Sequence, residues 1–215
     1  MKRILIIVSM LALIYSCSTN NDSSTPDVQE ENFYALTVGN SWEYRWYLYT
    51  PEEGLSPNSV TESISIIGTE DFNNNLYYKF KKVVSGNDGS NPTYPSNGEY
   101  FEHYRDSLGY LVHSSGAILF VNNTIDEFFL YETNVGFPLT AYAKLSEGNF
   151  DFTTEAGTFD CLEMRIRFEN PDYEIPGVNK RYYAEGIGLI KDEEVFLASP
   201  DGAGYQRRLE SYSVQ

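Results

Sequence analysis

From Trp42 onward, large apolar side chains recur at every second position. Trp42, Tyr44, Trp46 and Leu48 alternate with Glu43, Arg45, Tyr47 and Tyr49, and Val60, Ile64 and Ile66 alternate with Thr61, Ser63 and Ser65. Leu76, Tyr78 and Phe80 alternate with Tyr77, Lys79 and Lys81, and Leu162, Met164, Ile166 and Phe168 alternate with Glu163, Arg165 and Arg167. Successive side chains of a strand point to opposite faces, so each run presents one apolar and one polar face. A helix needs a 3.6-residue period, which no long stretch of the chain beyond the first 32 residues sustains. The 18 Tyr and 13 Phe residues reinforce the reading, since flat rings pack well on a pleated surface.

Turn-forming clusters punctuate these runs: Pro51-Glu52-Glu53-Gly54, Asp71-Phe72-Asn73-Asn74-Asn75, the stretch from Gly86 to Pro92, and the stretch from Pro200 to Gly204. Gly and Asn tolerate the positive φ of tight hairpins. Further strands are predicted over 99–105, 110–114, 117–122, 127–132, 141–147, 150–154, 181–186, 188–197 and 205–213. Short strands with short connections pair antiparallel, because parallel pairs need long crossovers. The expected class is therefore all-β or mainly β, with about 10–12 antiparallel strands and little helix. Cys161 breaks the pattern, since it shares parity with Glu163 and Arg165. Either a bulge lies near Asp160, or the thiol points to a second, partly covered face.

The first residues have a different character. Lys2 and Arg3 precede an apolar run over residues 4–15, interrupted by Ser9. That run is too short to span a bilayer, which takes about 20 residues, and suits a secretory signal. Ile14-Tyr15-Ser16-Cys17 resembles the lipobox of bacterial lipoproteins: an aliphatic residue, then a small one immediately before the cysteine that is acylated. Tyr15 is bulkier than the residue usual at its position. The resemblance implies cleavage before Cys17, a palmitate-type lipid on Cys17 and anchoring in the cell envelope, at the outer membrane. The predicted organisation is a signal peptide over 1–16, an acylated Cys and flexible tether over 17–32, and a single antiparallel β domain over 33–215. The tether carries Asp22, Asp27, Glu30 and Glu31, loosely similar to surface-export signals of Bacteroidetes lipoproteins.

Two further stretches carry a resemblance. The run from Phe33 to Tyr44 resembles the apolar-Pro-Leu-x-x-Gly-Asn-x-Trp-x-Tyr opening of uncharacterised Bacteroidetes lipoproteins, with Ala35 where proline is usual. Gly157-Thr158-Phe159-Asp160-Cys161 and the run from Tyr182 to Lys191 are similar to the closing half of the same proteins. The resemblance implies a curved antiparallel sheet, a half-barrel like that of lipoprotein carriers, and it implies no assigned activity. On physical grounds, Gly39-Asn40 suits a tight turn before Trp42, and Gly186 and Gly188 suit a sharp bend about Ile187.

Composition narrows the partners. With 31 acidic and 15 basic residues the formal net charge is −16, and it grows more negative once Lys2 and Arg3 leave with the leader. Such a surface repels phosphate backbones, so nucleic acid is not an expected partner. If Cys17 is acylated, Cys161 has no intramolecular disulfide partner, and it is read as a packed thiol.

Motifs for phosphate loops, zinc hydrolases, serine nucleophiles and paired-cysteine redox sites do not occur. No metal or cofactor is expected. His103 and His113 fall on separate strands with no third ligand in view. Glu99, Glu102 and Asp106 near His103 could serve acid/base chemistry, but acids are frequent enough in this chain to fall there by chance. The Asn- and Asp-rich turns lack the spacing of a calcium loop and read as turns. Asp106-Ser107-Leu108 resembles a Bacteroidetes O-glycosylation site. The expectation is a non-enzymatic envelope protein that binds an apolar or amphipathic ligand, or a partner protein, through Trp42, Tyr44, Trp46 and Tyr78. The alternative is a surface carbohydrate binder that stacks sugars on exposed rings such as Tyr47, Tyr49 and Tyr77.

Overall fold

The computed structural model describes residues 32–89, 92–134, 137–197, 199 and 202–215. The leader, Cys17 and the tether as far as residue 31 lie outside the described residues, as do Ser90, Asn91, Pro200 and Asp201 of two turn clusters. Among the described residues thirteen strands form and no helix does: β1 (Ser41–Thr50), β2 (Gly54–Phe72), β3 (Asn75–Ser85), β4 (Gly98–Ser107), β5 (Tyr110–His113), β6 (Ile118–Val121), β7 (Phe128–Asn134), β8 (Pro138–Leu145), β9 (Phe150–Thr154), β10 (Gly157–Glu169), β11 (Val178–Ala184), β12 (Gly188–Val195) and β13 (Gly204–Ser213). Every predicted run forms a strand. The thirteen strands correspond one to one to the runs named from the sequence, one more than the upper end of the expected ten to twelve.

All pairings are antiparallel, in the order β6-β5-β4-β3-β2-β1-β13-β12-β11-β10-β8-β7, with β9 paired to β10 off that path. Local hairpins build both halves, and the long-range β1–β13 pairing joins them. The sheet curls into a nearly closed half-barrel. Arg181 on β11 reaches over the concave side to the Leu119 carbonyl on β6 at 2.7 Å. The rings of Tyr110 on β5 and Phe128 on β7 approach to 6.2 Å.

Two-residue turns close the β2–β3 and β4–β5 hairpins. Both central residues take positive φ, 51° and 63° at Asn73 and Asn74, 57° and 85° at Leu108 and Gly109. That is the turn whose twist matches the flanking strands, and it explains the Asn pair read from the sequence. At Gly109 an added Cβ would sit 2.3 Å from Asn123 Nδ2, so a larger residue would have to displace the Asn123 side chain.

The segment before β1 is part of the core. Phe33, Tyr34, Ala35 and Leu36 are all buried, and the Tyr34 hydroxyl donates to the Gly109 carbonyl at 2.6 Å. Gly186 N–H donates to the Phe33 carbonyl at 3.1 Å. Fully buried Asn40 donates to the Ala35 carbonyl at 2.8 Å and accepts from Gln215 N–H at 3.0 Å, clamping the turn before β1 to the C-terminus. Ala35 has φ of 52°, a conformation closed to the proline of the resembled opening. The bend over Gly186 and Gly188 also forms, and it aims the Ile187 carbonyl at the Trp42 indole N–H, 2.7 Å away.

Among the described residues two apolar clusters form the core. The larger includes Trp42, Tyr44, Ile66, Phe120, Met164, Tyr183, Ile190 and Leu209. The smaller holds Trp46, Val60, Val84 and Tyr94. Along β10 the buried side changes. Phe159, Cys161 and Glu163 are buried on one face, and Met164, Ile166 and Phe168 on the other. The parity break at Cys161 is therefore the second reading, a covered second face. There the β9–β10 hairpin packs on the side of the sheet opposite the concave one. The Phe152 ring stacks on Tyr182 at 5.2 Å and lies beneath the Lys191 ammonium and the Arg208 guanidinium, 4.8 and 5.0 Å away. Cys161 is wholly buried, and burial pushes its thiol up to about 12.

Two sequence assignments on β3 are corrected. Leu76, read as inward, is 52% exposed, and Tyr77, read as an outward ring, is 7% exposed. At the far end of the β2–β3 hairpin the outer face is covered by its own side chains. Tyr77 packs edge-on against Phe72 at 5.6 Å and under the Arg105 guanidinium at 5.4 Å.

Candidate ligand cavity

The inward side chains of β1, β2, β12 and β13 are not uniformly apolar. Glu62 is 1% exposed, yet lies on the concave face between Tyr44 and Val84 of the flanking strands. It accepts from the Trp46 indole N–H at 2.8 Å and from Arg207 at 2.7 Å. Arg207 also binds Asp192 at 3.2 Å, and Asp192 binds Arg181 at 3.4 Å. The Arg207 guanidinium lies over the Tyr44 and Trp46 rings at 5.3 and 5.9 Å, which places the charges at the seam between the two apolar clusters. Burial opposes the Arg207 charge, and Glu62 with Asp192 outweighs it, so its pKa is raised. Across the sheet Lys82 pairs with Glu102 at 3.2 Å, and the Tyr104 hydroxyl donates to Glu102 at 2.7 Å. Burial pushes the Glu102 carboxyl up, but Lys82 and the Tyr104 hydroxyl together hold it below the usual carboxylate range.

These groups line an open cavity of about 640 Å³, bounded also by Tyr94, Leu119, Tyr183 and Glu194. Ligand pockets commonly measure about 300–1,000 Å³. A narrower apolar extension of about 90 Å³ lies beside it between Tyr34, Leu36, Trp42, Tyr44, Phe80 and Leu111. Glu102, Tyr104, Leu119, Tyr183, Leu189 and Arg207 border both spaces, so the two adjoin. Burial and neighbouring Asp192 raise the Glu194 carboxyl above its ordinary value, and Arg181 and Arg207 offset this in part. Tyr183 is held up to about 12, chiefly by burial.

Of the four aromatic positions singled out in the sequence, Trp42 and Tyr44 line the narrow extension and Trp46 lines the wide cavity. Tyr78 packs half-buried against the larger cluster and borders neither space. The acylation site Cys17 lies outside the described residues. His103 and His113 do not converge. His113 pairs across the strands with Tyr104, the residue after His103, so the two imidazoles point to opposite faces. His103 lies 3.2 Å from Glu70 and packs on Phe72, away from Glu102. Glu99 pairs with Lys81 at 2.7 Å, and Asp106 caps the Gly109 N–H at 2.8 Å, so neither forms an acid/base pair with His103. Among the described residues no group of three or more His, Cys, Asp or Glu is placed to hold a metal ion.

Apart from Glu102, the charged residues went unread in the sequence, although a signal existed. Glu62 has the parity of Val60 and Ile64, Arg207 that of Leu209, and Asp192 and Glu194 that of Ile190. A charge at an inward position is costly unless paired, so it marks a network or a site.

The fold and cavity define a curled antiparallel half-barrel with a mixed polar and aromatic interior. Residues 146–195, which span β9 to β12 and contribute Arg181, Asp192 and Glu194, match a family model described as DUF3108-like. Among solved structures, the chain is similar to that of a candidate lipoprotein from Parabacteroides distasonis ATCC 8503, with 16% identity over 85% of this chain and 99% of that one and a TM-score of 0.51. It is also similar to a candidate exported protein with a YmcC-like fold from Bacteroides fragilis NCTC 9343, with 12% identity over 85% of this chain and 99% of that one and a TM-score of 0.48. No curated protein matches the chain.

Proposed function

We propose that this chain is an exported protein, lipid-anchored through Cys17 at the outer membrane, whose half-barrel is a non-enzymatic binding domain for an amphipathic ligand. The observation that carries the binding reading is the pair of adjoining spaces: a polar cavity of about 640 Å³ shares walls with a ring-lined space of about 90 Å³. An amphiphile needs both, an apolar slot for its body and water-exposed polar groups for its head. The anchoring reading rests on the basic start, the apolar run and Ser16-Cys17, and on the fold shared with a protein named as a candidate lipoprotein. The carbohydrate reading loses Tyr77, which is buried, and the Tyr47 hydroxyl is engaged by Glu210 at 2.6 Å.

Two measurements test the proposal. Metabolic labelling with palmitate should mark the wild-type protein and leave Cys17→Ala unlabelled; equal labelling of both would end the anchoring reading. Organic extraction of the purified protein, followed by mass spectrometry, should release a stoichiometric amphiphile; repeated recovery of ligand-free protein that also binds no added amphiphile would end the binding reading.

A further inference from the structure

The charge balance inside the cavity selects among amphiphiles. Four carboxylates line it, those of Glu62, Glu102, Asp192 and Glu194, against three cations, Lys82, Arg181 and Arg207. Each cation is engaged: Lys82 by Glu102, Arg181 by Asp192, and Arg207 by Glu62 and Asp192. Among the described residues Glu194 makes no ion pair within 4.0 Å, Arg181 and Arg207 act on it only from longer range, and its side chain opens on the cavity while the walls partly desolvate it. An anionic head entering here would meet no free cation and would face Glu194 beside Asp192. A cationic head would neutralise the surplus carboxylate. The rings of Tyr94 and Tyr183 stand on the same walls, and ring faces attract ammonium groups.

Resting on the binding reading above, we infer that the ligand is a cationic amphiphile, an amine with an apolar body, whose ammonium group is received by Glu194 while its body enters the slot between Trp42, Tyr44 and Phe80. The two tryptophans of the chain, Trp42 and Trp46, line the two adjoining spaces, so intrinsic fluorescence reports their occupancy directly.

The experiment titrates the full-length lipidated protein, held in a non-ionic detergent, with n-hexylammonium, n-hexanoate and n-hexanol at neutral pH. These probes share one apolar body, differ in head charge and form no micelles. Hexylammonium should shift the tryptophan emission saturably and bind about tenfold more tightly than hexanoate, the scale of one partly screened charge pair. Glu194→Gln, with an unchanged circular dichroism spectrum, should remove most of that preference while leaving hexanol binding intact. Equal or tighter binding of hexanoate would overturn the head-group assignment and leave the cavity as a binding site. An ammonium preference unchanged in Glu194→Gln would overturn the role of Glu194. Emission unmoved by all three probes would overturn the binding reading itself.

Discussion

The Arg207 guanidinium reaches across β1 to the Glu62 carboxylate, 2.7 Å away, and holds the deepest charge of the concave face in place. Glu62 is 1% exposed, and Arg207 is its ion-pair partner. Arg207→Met should cost about 3–5 kcal/mol, because it leaves a buried carboxylate without its main counter-charge. The double replacement Glu62→Leu with Arg207→Met should recover a large part of that loss, since both charges then give way to apolar groups. Urea unfolding of the three proteins measures this. A single-substitution loss below about 1 kcal/mol would mean the pair behaves as a surface one.

Acid should act on the cavity through Glu102. Its carboxyl is held below the ordinary 4.5, so its contribution is present above that value and is lost as pH falls through the lowered one. Glu194 has the opposite sign: its raised value means that its contribution is present below 4.5 and fades as pH climbs through the raised value. Glu102→Gln should flatten the acid limb of a stability–pH curve, and Glu194→Gln should raise the thermal midpoint at neutral pH. Curves that superimpose on the wild type would contradict both assignments.

Leu108 sits at φ 57°, 90% exposed, at the first central position of the β4–β5 turn. The left-handed conformation costs a non-glycine residue about 1–2 kcal/mol, and Asn tolerates it best among the others. Leu108→Asn should therefore stabilise the protein by about 1 kcal/mol in chemical denaturation. A destabilised variant would show that the leucine makes contacts its exposure does not suggest.

Cys161 is buried beneath the β9–β10 hairpin with a thiol pushed up to about 12, so at pH 8 it should react with an aromatic disulfide reagent only through local opening. Removing the Phe152 ring takes away the contact between that hairpin and Tyr182, Lys191 and Arg208. Phe152→Ala should cost about 2 kcal/mol and speed thiol labelling. Rapid labelling of the wild-type protein would refute the covered face.

The strands were legible because alternation is a local code: Trp42, Tyr44 and Trp46 declare their face without reference to any other strand. Of the site, the rings of Trp42, Tyr44 and Trp46 were legible and the charged network was not, because it is assembled across strands. Glu62 on β2, Asp192 on β12 and Arg207 on β13 meet only once β1 pairs with β13, a contact that no local pattern announces. Reading each run by its apolar members also passed over the charges at inward positions. Tyr77 was misassigned for another reason, and the same reason left Cys161 between two readings, of which the covered second face is the observed one. Alternation says which side a residue takes and not whether that side is covered, and both are covered by folded-over neighbours, Phe72 with Arg105 in one case and the β9–β10 hairpin in the other.

The wedge formed by Phe33, Tyr34 and Leu36 fixes how the half-barrel answers a mechanical load. Tension applied at Asn32 meets buried rings at once, with the Tyr34 hydroxyl tied to Gly109 and the Phe33 carbonyl to Gly186. A pull from that end must therefore draw aromatic side chains out of the interior before it can peel β1.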